Sequence, residues 1–589
     1  MEVVLFILIP VLVSSFTSKI VLKRYLSINN HSSVIFLISF LTNLAIIETS
    51  IFFVFGYPVG VLNVQSKLVG IAQGNPSYPY IYSLLIFSGT FLSYVGFKYI
   101  FDRFSIKKID LKFSTCQRIV LIIVTYLWIS LYWVKSNFSV TDIESILFHL
   151  GFVNNETNLN LMVFDFLFNT FTWLFVLTLF IFLINKNMRL DKTQINKFYN
   201  FGLILILALM LVVDAWQTFQ ITEFLENRQN PSEFIENNYV DPNQVELDFP
   251  DEPKNLILIY LESMEFTYSK SDYFGSNLIP ELSGLALEYP SFSFDNNQNG
   301  ILQIDNASGT ISGLFTSSTG LPFKPPLQGS EIISNSVFMP NVITLGDILA
   351  HQDYNQTFLI GSDGDFGNRK SFYENHGDYY VNDYYEAIKD GRIPEDYNVW
   401  WGYEDKKLFE FAKEEINHLS NYDEPFNLTL LTTDTHAVDG YLDETCASNL
   451  SDQYSNVIKC ADERVANFIE WIKSQDFYAN TTVVVLGDHL SMDPFYFSNV
   501  SSQRSLYNVF IGEHLENSHS SFEKEATQLD LMPTMLASMG IEIDGNQLAL
   551  GVNLFSDKQT LTEKYGYEFL NSELKRISSF YYEEFLTID

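Results

Sequence analysis

Cysteine is scarce in this chain of 589 residues: there are three, too few for a scaffold built on disulfides. Positive charge is also in short supply, with 35 Lys and Arg against 70 Asp and Glu and a formal net charge of −35. A surface that acidic repels phosphate backbones, which excludes a nucleic-acid partner. Length excludes a small single domain. Yet 47% of the residues are hydrophobic, which fits poorly with −35 in one soluble body. Residues 1–216 carry 15 Lys and Arg against 10 Asp and Glu, a net of +5, whereas residues 217–589 carry 20 against 60, a net of −40. The chain is therefore two physically different parts joined near residue 216.

The first part is apolar in long runs. Six stretches, 3–18, 33–56, 79–101, 118–135, 161–184 and 200–216, are long enough to cross a bilayer core of ~30 Å. The first lacks the basic start and small-residue cleavage site of a secretory leader. One such stretch could be a buried core helix; six in succession specify a multi-span α-helical membrane domain over 1–216. The connections after the first, third and fifth stretches, with their flanks, hold 13 Lys and Arg, and those after the second and fourth hold only Lys67 and Lys135. Positive charge stays cytoplasmic, so everything after Trp216 faces outward from the cytoplasmic (inner) membrane, into the periplasm or exterior. Glu48 and Asp165 fall inside these stretches, where a carboxylate is costly and marks function, while Asp214 sits near an end and can reach the interface. Residues 141–157 read as an amphipathic helix on the outer face, with His149 structural.

Residues 217–254 are acidic and interrupted by Pro231, Pro242, Pro250 and Pro253, as a juxtamembrane helix followed by an extended linker would be. From residue 255 to 589 the pattern changes again. Continuous apolar runs at 255–261, 356–360, 426–431 and 481–486 alternate with helical periodicities such as 405–419 and 461–474. This alternation predicts an α/β domain with a mostly parallel sheet covered by helices on both faces.

Chemistry in such sheets gathers at the carboxyl ends of the strands. Here those ends carry Glu262-Ser263, Gly361-Ser362-Asp363 with Arg369 soon after, Thr432 to His436, and Gly487-Asp488-His489. Each has a bland reading as a turn or a helix start. Together, Glu262, Asp488 and His489 offer two hard oxygens and a nitrogen, a set suited to one Mn²⁺, Mg²⁺ or Zn²⁺ ion. Residues 306–320 are rich in hydroxyls and glycine, a loop-to-helix composition that can present a hydroxyl to a metal and backbone N–H groups to an anion. Composition alone leaves Ser308, Thr310 and Ser312 as equal candidates.

Six motifs now stand together: Asn255-Leu-Ile-Leu-Ile-Tyr-Leu-Glu-Ser263, Gly309-Thr-Ile-Ser-Gly313, Trp401-Gly-Tyr-Glu-Asp405, Thr433-Asp-Thr-His436, Gly487-Asp-His-Leu490 and Asp530-Leu-Met-Pro-Thr534. They resemble the alkaline-phosphatase/sulfatase superfamily over about residues 220–560. More narrowly they resemble its membrane-bound phosphoglycerol transferases, the group that includes the periplasmic-glucan enzymes and the lipoteichoic acid synthases. The resemblance implies Thr310 as nucleophile, with Glu262, Asp488 and His489 as ligands of one divalent cation whose shell Thr310 completes, manganese favoured over magnesium or zinc. It implies Arg369 and His436 as the holders of a glycerophosphate and Asp363 as a contact to its hydroxyls. The donor would be phosphatidylglycerol and the acceptor an extracytoplasmic glycan of the periplasmic-glucan kind. Transfer would run through a phospho-threonine and release diacylglycerol.

None of Cys116, Cys446 and Cys460 is followed by the Pro-x-Arg of sulfatases that use formylglycine, and that type is excluded. Cys446 and Cys460, with 13 residues between them in an oxidising compartment, are expected to form a disulfide stapling the excursion after His436. Cys116, near the cytoplasmic face, is expected to stay unpaired. Other outcomes of the same fold are a lipoteichoic-acid-type polymerase, a phosphoethanolamine transferase, a phosphodiesterase with water as acceptor, or a catalytically inactive membrane binding module. The joint presence of Glu262, Thr310, Asp488 and His489 argues against the last.

Overall fold

The structure, a computed structural model, describes residues 115–137, 196–294, 300–324, 338–437, 439–493, 496–497, 500–516 and 521–587. The chain divides into two compact units that part between Phe219 and Gln220.

In the first unit, α1 (Thr115–Asn137) and α2 (Asn196–Thr218) contain the apolar stretches 118–135 and 200–216. They pack through Val124, Leu131 and Leu211, flanked by Trp128 and Leu207. Their other faces are apolar and exposed: Ile119, Ile123 and Leu127 on α1, and Leu205, Ile206, Leu209, Val212 and Val213 on α2. Among the described residues no single helix is both long and apolar enough to cross a membrane. The other four stretches and the 141–157 segment, with Glu48, His149 and Asp165, lie outside the described residues.

The described residues of the second unit begin at Gln220, so most of the segment expected to be a linker belongs to it. After α3 (Ile221–Gln229), Phe234 and Ile235 are buried in the main core. Val240 then bridges to Ala549, and Leu247–Asp248 pairs antiparallel with Glu542–Ile543. The cause is non-local. Apolar residues scattered among prolines find partners some 300 residues further on, and no local pattern announces that.

At the centre is a six-stranded sheet. Its strands are β1 (Asn255–Leu261), β2 (Asn355–Ile360), β3 (Tyr380–Asn382), β4 (Phe426–Leu431), β5 (Thr481–Gly487) and β6 (Asn508–Ile511). In space they run β3-β2-β4-β1-β5-β6, all parallel except the antiparallel edge strand β6. The expected mostly parallel sheet is present. Alternate side chains separate two cores: Leu256, Leu258, Tyr260 and Leu486 point to one, Ile257, Ile259, Leu261 and Val485 to the other. The first core is closed by α4 (Thr310–Thr319), α5 (Arg369–Asn375) and α8 (Leu531–Ser538), the second by α6 (Asp405–Leu419) and α7 (Gln453–Lys473). Burial on both faces explains why these strands read as unbroken apolar runs.

Register decides where the chemistry lies. Leu261 pairs with Gly487, and Tyr260 pairs with both Leu431 and Leu486. Strands β4, β1 and β5 therefore end level with one another, and Thr432, Glu262 and Asp488 leave the sheet side by side.

Candidate active site

Glu262 follows the last residue of β1, and its backbone N–H donates to the Thr432 hydroxyl at 2.9 Å, which ties it to the end of β4. Asp488 follows β5; its Oδ1 accepts from the N–H groups of Ser263 (2.8 Å) and His489 (2.7 Å). Its other oxygen, Oδ2, is buried and has no hydrogen-bond partner. His489 hydrogen-bonds the Leu490 carbonyl through Nδ1 at 2.9 Å, so the proton sits on Nδ1 and Nε2 is left for the carboxylates. That nitrogen lies 3.2 Å from Glu262 Oε1 and 3.5 Å from Asp488 Oδ2. All three side chains are buried.

The hydroxyl-rich segment arrives on α4. Ser312 Oγ accepts the Gly309 N–H at 2.9 Å, a cap that opens the helix and spends that hydroxyl. Thr310 is the hydroxyl that meets the cluster: Oγ1 lies 3.2 Å from Glu262 Oε2 and 3.4 Å from His489 Nε2. The helix reaches so far in because residue 313 is glycine, where a Cβ would stand 2.1 Å from the Asp488 carbonyl oxygen. Tyr260 and Ser317, 2.7 Å apart, pin α4 to β1. The positive end of the helix dipole and its unsatisfied N–H groups thus face the same space as the Thr310 hydroxyl.

The electrostatics are those of a site built around a cation. Burial, then the charge of Glu262, pushes Asp488 up to about 8. Burial alone would lower His489, but Asp488 and Glu262 outweigh it and raise the imidazole to about 10. Burial would raise Glu262, yet the charges of His489 and of His436 hold it well below the usual carboxylate range. Two buried carboxylates and an imidazole, with ligand atoms all within 4.8 Å of one another, fit a divalent ion. Asp488 Oδ2 supports the same fit, since it is buried, receives no hydrogen bond and has only His489 near it at 3.5 Å.

Arg369, at the start of α5, is buried; its Nε donates to the Phe366 carbonyl (2.8 Å) and Nη2 to the Asp363 carbonyl (2.7 Å) and the Ser362 hydroxyl (3.3 Å). Burial pulls it down to about 10, against the charges of Glu262, Asp363, Asp383 and Asp488, so it is cationic at neutral pH. His436 is half-buried and packs on Trp401 with ring centres 5.0 Å apart. Asp363 turns its side chain to its own loop, where Oδ1 accepts the Asp365 N–H at 2.9 Å.

Two supporting networks escaped sequence reasoning. Asp405, at the start of α6, accepts from the N–H groups of Thr433 (2.7 Å) and Asp434 (3.1 Å). Asp434 in turn pairs with Arg464 at 3.0 Å, and Arg464 reaches Asp443 at 2.9 Å. This holds the turn that carries His436. Cys446 and Cys460 are joined by a disulfide, with Cα atoms 5.6 Å apart, beside that turn; Cys116 is free. On the other side the buried Glu265 pairs with Arg504 and accepts the Ser491 N–H at 2.8 Å, fixing the segment after His489. Asp405 and Asp434 lie inside those motifs, but nothing local marks Arg464 as the partner of Asp434 or Arg504 as the partner of Glu265.

The sequence profile of the sulfatase family matches residues 254–541. The chain is 30% identical to phosphoglycerol transferase I of Escherichia coli over 351 residues, 57% of this chain and 44% of that protein. It thus spans less than half the length of the curated relatives it matches. Among solved structures, a lipoteichoic acid synthase from Listeria monocytogenes superposes with a TM-score of 0.41 at 18% identity, covering 55% of this chain and 80% of that one. An integral membrane lipooligosaccharide phosphoethanolamine transferase A from Neisseria meningitidis does so with a TM-score of 0.43 at 14% identity, covering 81% and 92%.

Proposed function

We propose, from the premise that residues 254–541 form a domain of the sulfatase family, that this chain is a membrane-anchored phosphoglycerol transferase. It would move phosphoglycerol from phosphatidylglycerol to an extracytoplasmic glycan through a covalent intermediate on Thr310. The observation that carries this reading is the Thr310 hydroxyl, which meets Glu262 and His489 at the N-terminus of α4. The likeness to phosphoglycerol transferase I supports the transferred group. Membrane anchorage is supported by the six apolar stretches, the loop charge bias and the exposed apolar faces of α1 and α2.

Glu262, Asp488 and His489 would hold the divalent cation, with the Thr310 hydroxyl beside it. Bound there, the ion supplies positive charge that lowers the hydroxyl's pKa and offsets charge on phosphate. Thr310 gives up its proton and forms the Oγ1–P bond, while the P–O bond to diacylglycerol breaks. His436, whose charge reaches Glu262, would give the departing oxygen a proton. Arg369 faces the phosphoryl oxygens with a planar, always-charged fork. In the second half-reaction a sugar hydroxyl loses its proton and bonds to phosphorus, the Oγ1–P bond breaks, and Thr310 regains its proton. Diacylglycerol stays in the bilayer, which accounts for a catalytic domain tethered to one.

Incubation of the protein with headgroup-labelled phosphatidylglycerol and a glucan tests the reading. Labelled glucan and unlabelled diacylglycerol are expected, and Thr310→Ala abolishes both without loss of fold. Undiminished lipid turnover by that variant would contradict the assignment.

A further inference from the structure

Beside the cluster the chain makes an expensive turn. Val399 and Gly402 exchange both backbone hydrogen bonds, at 2.7 and 3.1 Å, around the two residues Trp400 and Trp401. Trp400 sits at φ +60°, a conformation that two-residue hairpin turns reserve for glycine or asparagine and that is a true outlier for a bulky side chain. The turn is clamped to the end of β2. Gly402 bridges to Ser362, and a Cβ on Gly402 would stand 2.1 Å from the Gly361 carbonyl oxygen. Trp400 Nε1 donates to the Thr433 carbonyl at 3.1 Å, fixing the ring against the turn that carries His436. In spite of this fixing the aromatics stay in solvent: Phe366, Trp400 and Trp401 are 47, 39 and 37% exposed. Trp401 packs between Phe366 (ring centres 5.8 Å apart) and His436 (5.0 Å).

Strain kept at a clamped, exposed corner beside reactive groups points to function. We infer that Trp401, braced by Phe366 and Trp400, seats a neutral sugar ring of the acceptor, the C–H face of the pyranose lying on the indole. The inference deepens the transferase reading and rests on it for the word acceptor. Aromatic faces carry negative charge density and attract C–H-rich surfaces in a preferred geometry, so a stacking ring gains from being held in place. A bilayer anchor needs an amphipathic ring at headgroup depth but no fixed orientation. Charge favours the same occupant, because residues 217–589 carry a net of −40, which opposes an anionic lipid surface and leaves an uncharged sugar unaffected.

Saturation-transfer NMR on the full-length protein in detergent, with a panel of neutral glucose pentasaccharides of different linkage, reads the contact without any turnover. We expect transfer from aromatic protons to the sugar C–H protons of at least one pentasaccharide. Trp401→Ala should weaken its affinity roughly tenfold, and Trp401→Phe should restore most of it. Tyr422→Ala removes an exposed aromatic at the opposite end of the sheet and should leave the affinity unchanged. Silence from the whole panel, or wild-type affinity in Trp401→Ala, overturns the inference. It is equally overturned if Trp401→Ala binds saccharide normally but partitions less into vesicles of phosphatidylglycerol and phosphatidylcholine, which would make the turn a membrane anchor. A wild-type protein that binds the saccharide and leaves phosphatidylglycerol intact keeps the sugar seat and loses the transferase reading.

Discussion

Glu262 Oε2 accepts the Thr310 hydroxyl at 3.2 Å, while the other oxygen of the same carboxylate lies 3.2 Å from His489 Nε2. One side chain thus serves both the candidate nucleophile and the candidate metal cluster. Its charge is also the main like-charge burden on Asp488. Glu262→Gln preserves the shape and removes the charge. In chelator the variant should melt below the wild-type temperature, because the ionised carboxylate that His489 and His436 favour in the fold is lost. With added Mn²⁺ the wild type should gain several degrees and the variant none, as a ligand that binds only the folded state stabilises by mass action. Thermal unfolding with and without Mn²⁺ checks both.

Metal affinity should rise with pH. In the metal-free site His489 is raised to about 10 and Asp488 to about 8, so the cluster holds at least one proton at pH 7 that a cation must displace. Protons win below those values and the metal gains above them. Calorimetric titration between pH 6 and 8 should show the dissociation constant falling by up to about a hundredfold per unit while both groups are protonated, with proton release that varies with buffer ionisation enthalpy.

The Asp405–Asp434–Arg464 network makes stability fall with rising pH. Burial pushes Asp405 up to about 6, and burial together with the charge of Asp405 pushes Asp434 higher still. Both folded-state values exceed those of the unfolded chain, so the contribution is complete below about pH 4 and is lost as pH climbs through 6 and beyond. Asp405→Asn should flatten that decline in denaturant titrations from pH 5 to 9. Arg464→Met should steepen it and cost about 3–5 kcal/mol, since it leaves a buried carboxylate without its cation.

The remaining charge asymmetry predicts a salt response. A domain at −40 meeting an anionic donor lipid works against its own far field, whose reach falls from ~30 Å at 0.01 M salt to ~8 Å at 0.15 M. Turnover of phosphatidylglycerol should therefore rise between those concentrations. A flat or falling profile would contradict this.

Strands buried on both faces were legible because their apolar runs are unbroken. The runs at 255–261 and 426–431 and the helix at 405–419 end in the structure where the sequence pattern ends. The helix expected at 461–474 starts earlier, at Gln453, because Asp452 caps it by accepting the Ser455 N–H at 2.8 Å. Strands β3 and β6 went unread, being three and four residues long and too short for a periodicity. At the site, residue type and strand-end position brought out Glu262, Asp488 and His489. The choice among three hydroxyls needed the geometry of α4, where Ser312 turns back to Gly309 and Thr310 faces the cluster. Arg464 and Arg504 were illegible because their partners lie 30 and 239 residues away, and only the fold brings them together.

Mass spectrometry of the protein quenched during turnover of phosphatidylglycerol tests the central claim most directly. The account predicts a glycerophosphoryl adduct on the peptide carrying Thr310, which disappears when a glycan acceptor is added and never forms in Thr310→Ala. Sustained release of diacylglycerol with no adduct on Thr310, or with the adduct on another residue, would contradict it.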